Sequence, residues 1–232
     1  MARRRVGSNQ YRTRAVSQGV QTDDLMAQGV ADGPAALAPM ARAKKWRVRM
    51  AVVKGRYMRV AKATPPEALA RLAEDDSWDV RGQVAQHPNT TPDILAHLAH
   101  DSNEVVQQQV AANPHTPPET LAQLAVDEGR GVRWWVAQHP NTPPGALDQL
   151  AEDEDRGVRY GTAKNPNCPP EVLAHLVGDE VVAVRLRVAQ HPRTPPQVLA
   201  QLLGDEDKDV RQSAAKNPNC PEEYRALGRL AQ

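Results

Sequence analysis

Phenylalanine is absent from this chain, and aromatic residues make up only 3% of it. A core built without Phe must come from aliphatic side chains, and Ala, Val and Leu supply it. Cysteine is almost absent as well. Cys168 and Cys220 are the only two, too few for a disulfide-stapled scaffold and suited to a reducing compartment. No apolar run approaches the roughly 18 residues that a membrane span needs. The Arg-rich start lacks the apolar segment of a secretory signal, so a cytoplasmic location is the default expectation, although an acid-poor, Arg-rich start also fits an organelle transit peptide. Acidic residues are scarce at first. Residues 1–62 hold 14 Lys and Arg against Asp23, Asp24 and Asp32, a net of +11, whereas residues 63–232 hold 15 against 25 acids, a net of −10. The formal total of +1 hides a basic arm on an acidic body. Such an arm suits nucleic acid, an anionic membrane, an acidic partner, or the acidic repeats of its own chain.

What is present is periodicity. Pro88, Pro114, Pro140, Pro166, Pro192 and Pro218 follow one another at intervals of 26 residues. The residue before each alternates: His87, Asn113, His139, Asn165, His191, Asn217. A fixed period of this length predicts a solenoid, in which each unit buries its apolar face only against its neighbours. Function is then expected on an extended surface rather than in one deep cleft.

Each unit opens on a motif such as Thr64-Pro65-Pro66-Glu67, which predicts a helix start with Thr at the N-cap, prolines at the first two helical positions and Glu67 closing a capping box. Leucines three apart follow: Leu69/Leu72, Leu95/Leu98, Leu121/Leu124, Leu147/Leu150, Leu173/Leu176 and Leu199/Leu202. They line one face of a first helix. An aspartate column comes next (Asp75, Asp101, Asp127, Asp153, Asp179, Asp205). Six residues after each stands Arg81, Arg133, Arg159, Arg185 or Arg211, with Gln107 the one departure. A valine precedes each of these positions and an alanine follows four later, which marks the buried face of a second helix. The His-Pro or Asn-Pro pair ends that helix, because the residue before proline is pushed out of the helical region. Four segments result: a basic, mostly disordered arm over 1–43, a basic capping segment over 44–63, six repeats over 64–219 and a capping helix over 220–232. Residues 44–62 fit a degenerate helix by their Val-Arg spacing and a strand by their alternation, and the sequence leaves both open.

The unit, with its Asn-Pro junction, Thr-Pro-Pro start and Asp-to-Arg spacing, resembles the variant leucine-rich repeat, a relative of HEAT repeats, over about residues 60–230. The resemblance implies an all-α, right-handed solenoid of two short helices per repeat, one of them often 3-10. A unit slightly longer than the family's usual one would allow both to be α. The likeness to HEAT repeats implies a ladder in which Asp75 and its column bond the Arg of a neighbouring unit. Some relatives carry an N-terminal iron–sulfur module held by cysteines. Here no cysteine precedes Cys168, so no such cofactor is expected, and the basic segment stands in its place.

Several constellations have a bland and a sharp reading. The His column resembles a metal site, but His87, His139 and His191 are two repeats apart, roughly 20 Å at the usual spacing of packed helices. A shared zinc needs its ligands within about 2.1 Å, so these residues are read as helix ends, and no metal is expected. Cys168 and Cys220, also two repeats apart, are too distant to bridge. They occupy the Thr column, as weak caps or packed thiols, with a reactive thiol the sharper alternative. The Asp column recurs in every unit and the Arg column in all but one, which marks structure rather than catalysis.

The repeats differ along the outward face of the second helix. Positions 78 and 82 of the unit point away from Val80 and Val84. They read Trp78/Gly82, Glu104/Gln108, Arg130/Trp134, Arg156/Tyr160, Val182/Leu186 and Lys208/Gln212, with Trp135 and Arg187 alongside. Exposed aromatics beside Arg are enriched at binding hot spots. The alternative is that Trp134 or Trp135 covers a groove between helices, with Arg130 stacked upon it. No nucleotide loop, metal motif or nucleophile constellation is present. The sequence therefore predicts a monomeric, non-enzymatic scaffold without a cofactor, binding a protein through Trp78, Arg130, Trp134, Trp135, Arg156, Tyr160 and Arg187. The alternative is nucleic acid bound by the arm, with Lys44, Lys45, Arg47, Arg49, Lys54, Arg56 and Arg59 as its cations and the Arg-aromatic patch as stacking platform. A base-excision enzyme, on the analogy of HEAT-like glycosylases, lacks a candidate carboxylate.

Overall fold

A computed structural model describes Ala41, Lys44, Arg49, Met50, Val53 and residues 64–224. The arm and capping segment otherwise lie outside the described residues, as do Leu227 and Leu230 of the C-terminal cap. Arg49, Met50 and Val53 are helical, which decides between helix and strand at those positions. The chain forms an all-α repeat solenoid. It falls into two compact units, Met1–His115 and Thr116–Gln232.

The first unit holds α1 (Pro66–Leu72), α2 (Trp78–Gln86), α3 (Pro92–Leu98) and α4 (Glu104–Ala112). The second holds α5 (Pro118–Leu124), α6 (Arg130–Gln138), α7 (Pro144–Ala151), α8 (Arg156–Lys164), α9 (Pro170–His175), α10 (Val182–Gln190), α11 (Pro196–Leu202) and α12 (Lys208–Lys216). Both helices of each pair are α. A short 3-10 turn, Leu176–Gly178, extends α9. Within the first unit α2 packs on α4, and within the second α6, α8, α10 and α12 pack in series.

The core is the one the columns describe. Leu69, Leu95, Leu121, Leu147, Leu173 and Leu199 are fully buried, and so are Val80, Val106, Val132, Val158, Val184 and Val210. Each such side chain is worth about 1.5–3 kcal/mol of transfer free energy, and the alanine column lets the second helices approach closely.

The helix starts differ from expectation. The N-cap residues are Pro65, Pro117, Pro143, Pro169 and Pro195, each extended, and the second proline opens the helix. No side-chain cap bond is made there, so the Thr cap and the Glu67 capping box do not form. Proline forces the residue before it out of the helical region, which moves the Thr one place outside the helix. Its hydroxyl turns back instead. Thr90, Thr142 and Thr194 donate at 2.5 Å to the carbonyls of Val84, Val136 and Val188 in the last turn of the preceding helix. Those carbonyls are among the four that every helix end leaves without an internal partner.

The next carbonyl is satisfied from the following repeat. Asn113 Nδ2 donates to Ala85, Asn165 Nδ2 to Ala137 and Asn217 Nδ2 to Ala189, at 2.6–2.8 Å. The Asn Oδ1 meanwhile accepts the N–H two residues on, from His115, Asn167 and Asn219. Histidine does the same work. Nδ1 of His87, His139 and His191 accepts from Asn89, Asn141 and Arg193. Accepting at Nδ1 leaves the proton of a neutral ring on Nε2, and His191 Nε2 lies 2.9 Å from the Asn165 carbonyl. The alternation is thus a choice between two side chains that each offer one acceptor and one donor.

The charged columns tie one repeat to the next. Arg81 grips the Asp101 carboxylate through Nε and Nη2, and Arg133, Arg159 and Arg185 grip Asp153, Asp179 and Asp205 in the same way. Nη1 of each reaches back to the carbonyl of the aspartate six residues earlier. The aspartate Oδ1 also accepts a backbone N–H two residues on, at Ser77, Asn103, Gly129, Asp155, Val181 and Asp207. Arg211 makes the carbonyl contacts to Asp205 and Glu206. Arg49 holds the Asp75 carboxylate, across 26 residues rather than the 20 of the later links.

Cys168 and Cys220 are buried free thiols. Burial pushes the Cys168 thiol up to about 12, which counts against a reactive thiol there, and both cysteines pack in the core.

Two expectations follow. The Arg159 side chain is 12% exposed and Asp179 5%. Arg159→Ala strands that carboxylate and should cost about 3–5 kcal/mol in urea unfolding. A smaller loss in the Arg159→Ala, Asp179→Ala double variant than the two single losses combined would identify the pair as the cause. Burial, aided by Arg193, lowers the His191 pKa against the opposing Asn165 carbonyl bond. The unfolded chain, with its His near the ordinary pKa of about 6.5, then takes up protons before the folded one. Stability is complete above that pH and is lost as pH falls below it. His191→Asn, which keeps both hydrogen bonds, should match wild type at pH 8 and lose less between pH 7 and 5, read as urea midpoint against pH.

Candidate recognition groove

Within the second unit α8 and α10 each pack between two other second helices, and such packing narrows the free face. The column begun by Trp78 is exposed throughout: Trp78, Glu104, Arg130, Arg156, Val182 and Lys208. The column begun by Gly82 is not. Gly82 is buried, and Gln108, Tyr160, Leu186 and Gln212 are half-buried. A Cβ at Gly82 would stand 3.9 Å from Val106 of α4. Helical periodicity points this column away from the core, but within a unit the next second helix closes over it, as α4 does over Gly82 and α8 over Trp134. Trp134 is the member large enough to emerge, at 37% exposure.

Trp134 and Trp135 meet edge to face, with ring centroids 4.9 Å apart and planes at 83°. They stand in an open groove of about 390 Å³ between α6 and α8, lined by Arg130, Gly131, Trp134, Trp135, Asp155, Arg156 and Gly157. Two glycines make it possible. A Cβ at Gly161 would come within 3.1 Å of Ala137, so its absence brings α8 close to α6. A Cβ at Gly157 would sit 3.6 Å from Trp134 Cδ1, so the indole rests over the bare start of α8. Trp134 therefore covers part of the interhelical groove and also lines what remains open.

Asp155 caps α8, accepting from the N–H groups of Gly157 and Val158. Arg130 reaches it at 3.3 Å while remaining 80% exposed. Burial opposes ionisation of Asp155, but the two backbone donors and Arg130 hold its carboxyl below the usual carboxylate range. Arg130 is engaged with this carboxylate rather than stacked on Trp134. Arg156 is exposed and makes no ion pair among the described residues.

The other sequence candidates lie apart from the groove. Tyr160 is packed against the core, and its hydroxyl accepts from Arg187 Nε at 2.7 Å with the guanidinium 5.1 Å from the ring centre. The pair satisfies itself. Trp78 is exposed in the first unit. Of the basic-arm residues, Lys44 is exposed, and Arg49 is committed to Asp75 and the Lys44 carbonyl. Lys45, Arg47, Lys54, Arg56 and Arg59 lie outside the described residues. Sequence reasoning missed Gly131, Asp155 and Gly157. The signal was available: Arg-Gly stands at 130–131 and again at 156–157, and at those places alone the exposed column is followed by a residue without a side chain. Among the described residues no group of three His, Cys, Asp or Glu is placed to hold a metal ion, and no helix is long and apolar enough to cross a membrane.

Comparison with known proteins places this architecture. The Leucine Rich Repeat Variant domain model matches residues 59–111 and 106–163, and the Leucine rich repeat variant model matches residues 182–207. A solved leucine-rich repeat variant, described as having a novel repetitive structural motif, is 29% identical over 97% of this chain and 87% of its own, with a TM-score of 0.59. A designed armadillo repeat protein is 13% identical over 88% of this chain and 95% of its own, with a TM-score of 0.37. Another, solved in complex with the peptide (KR)4, is 12% identical over 97% and 98%, with a TM-score of 0.31. A search among curated proteins finds no match. With its columns of Leu, Val, Asp, Arg and His or Asn assembled as two-helix units, the chain belongs to the leucine-rich repeat variant family.

Proposed function

We propose that this chain is a non-enzymatic scaffold that recognises a protein partner through the second-helix face of its middle repeats. One observation carries the reading. Where every other large aromatic of the second unit is engaged, Trp134 and Trp135 stand 37% and 40% exposed in a groove bordered by two arginines. An interface core draws its binding energy from a few such Trp and Arg residues. The Asp, Arg, His and Asn columns are committed to structural bonds, which supports a rigid frame. Selection of displayed peptides against the full chain tests the reading. Binders should lose about thirtyfold or more in affinity for the Trp134→Ala, Trp135→Ala variant, the loss of roughly 2 kcal/mol typical of a hot spot. Binders that retain full affinity for a variant of unchanged melting temperature refute it.

The net charge of +11 over residues 1–62 favours a second reading, binding of nucleic acid by the arm. Full-length chain should then be retained on a DNA or RNA column at low salt and released steeply as salt rises, because phosphate contacts displace condensed counterions. Absence of retention at low salt removes this reading.

A further inference from the structure

We infer that the groove between α6 and α8 takes a short acidic peptide segment, with one carboxylate on Arg156 and Arg130 and a neighbouring apolar side chain on the Trp134–Trp135 pair. The inference rests on the groove being a protein-recognition site and names the chemistry of its partner.

Charge is the first ground. The groove holds two guanidiniums and one carboxylate, a local excess of one positive charge on a repeat region of net −10. Asp155 is already supplied with three donors, from Gly157, Val158 and Arg130. Arg156 keeps its planar fork of donors free of any ion pair among the described residues, although acids outnumber cations 25 to 15 over residues 63–232. A carboxylate can bind such a fork through two parallel hydrogen bonds, and Arg130, 80% exposed, can turn toward the same guest.

Spacing is the second ground. Arg130 and Trp134 are four residues apart on α6, a rise of about 6 Å. Side chains on one face of an extended peptide recur at about 6.6 Å. An acidic residue at the level of Arg130 and Arg156 thus places the residue two positions along at the level of the indoles. The third ground separates a peptide from nucleic acid. A single strand carries a charge about every 3.4 Å, and two residues before each groove arginine stands an exposed acid, Glu128 and Glu154, the latter 91% exposed, which disfavours a continuous run of phosphates there. A segment with one or two carboxylates can set them on Arg156 and Arg130, with Asp155 the one acid of the groove, already supplied with three donors.

The test uses the full chain and labelled heptapeptides of the pattern Glu-Ser-Leu-Ser-Glu-Ser-Trp. Counterparts carry Gln or Lys in place of Glu, and a labelled single-stranded DNA of similar length is included. All are titrated by fluorescence polarisation at low ionic strength. The Glu peptide should bind about tenfold more tightly than the Gln and Lys peptides, and Arg156→Gln and Trp134→Ala should each weaken it about tenfold. Arg156 is exposed, so its substitution leaves folding intact and keeps the test valid if Trp134→Ala loosens α8. Trp134-dependent binding of the Lys peptide or of DNA in preference to the Glu peptide overturns the acidic inference, and the DNA result overturns protein recognition as well. No Trp134-dependent binding of any heptapeptide, while displayed peptides selected against the chain do depend on Trp134, overturns the acidic inference alone.

Discussion

Each repeat has an apolar stripe that it cannot bury and helix-end carbonyls that it cannot satisfy. Both deficits are met by the neighbouring repeat, and the arginine link fixes how. The Arg159 guanidinium grips Asp179 of the next repeat with Nε and Nη2 and the Asp153 carbonyl of its own with Nη1. A planar group with a fixed fork of donors tolerates little change in angle, so successive second helices are held in one register. The Val and Ala columns meet only in that register. His191, whose Nε2 lies 2.9 Å from the Asn165 carbonyl, closes the opposite end of the same interface. Burial supplies most of the stabilisation, while the polar bonds at both ends choose one packing from many.

Much of this was legible in the sequence because repetition converts tertiary contacts into a pattern along the chain. The Leu and Val columns are buried where periodicity places them, and the Asp-to-Arg spacing corresponds to a geometric link. Two readings failed for one shared reason. The Thr-Pro-Pro start carries the local signature of an N-cap, but the first proline becomes the cap and a carbonyl of the preceding helix takes the hydroxyl. Gly82 lies on the outward face of its own helix, but the neighbouring repeat covers it. In both cases the group that engages the hydroxyl or covers the position belongs to another helix, and a pattern read within one helix does not contain it. The His and Asn alternation shows the converse. Two side chains with little chemical likeness are interchangeable because the site asks only for one acceptor at i+2 and one donor to the preceding repeat.

The groove was half legible. Arg130, Trp134, Trp135 and Arg156 stood out as the places where the columns change, and they do meet in space. Tyr160 and Arg187 stood out equally and pair with each other instead. What separates the two cases is the absence of side chains at 157 and 161, which lets α8 approach α6 and leaves a floor under the indole. Glycine at an outward helical position reads as nothing when residues are scanned for chemistry, yet it creates the concavity.

A rigid ladder also bears on the recognition proposed for this surface. The backbone at Arg130 and Arg156 is fixed by bonds that do not involve the groove: Arg133 to Asp153 below one, and Arg159 to Asp179 below the other. The groove is therefore positioned before any guest arrives, and little backbone entropy is lost on binding. Only the exposed arginine side chains need to be ordered. On the proposed reading the repeated residues hold the frame and the residues that break the repeat hold the specificity. A family built on such a frame can change its guest by altering two or three positions on the second helix without disturbing the bonds that keep the repeats in register.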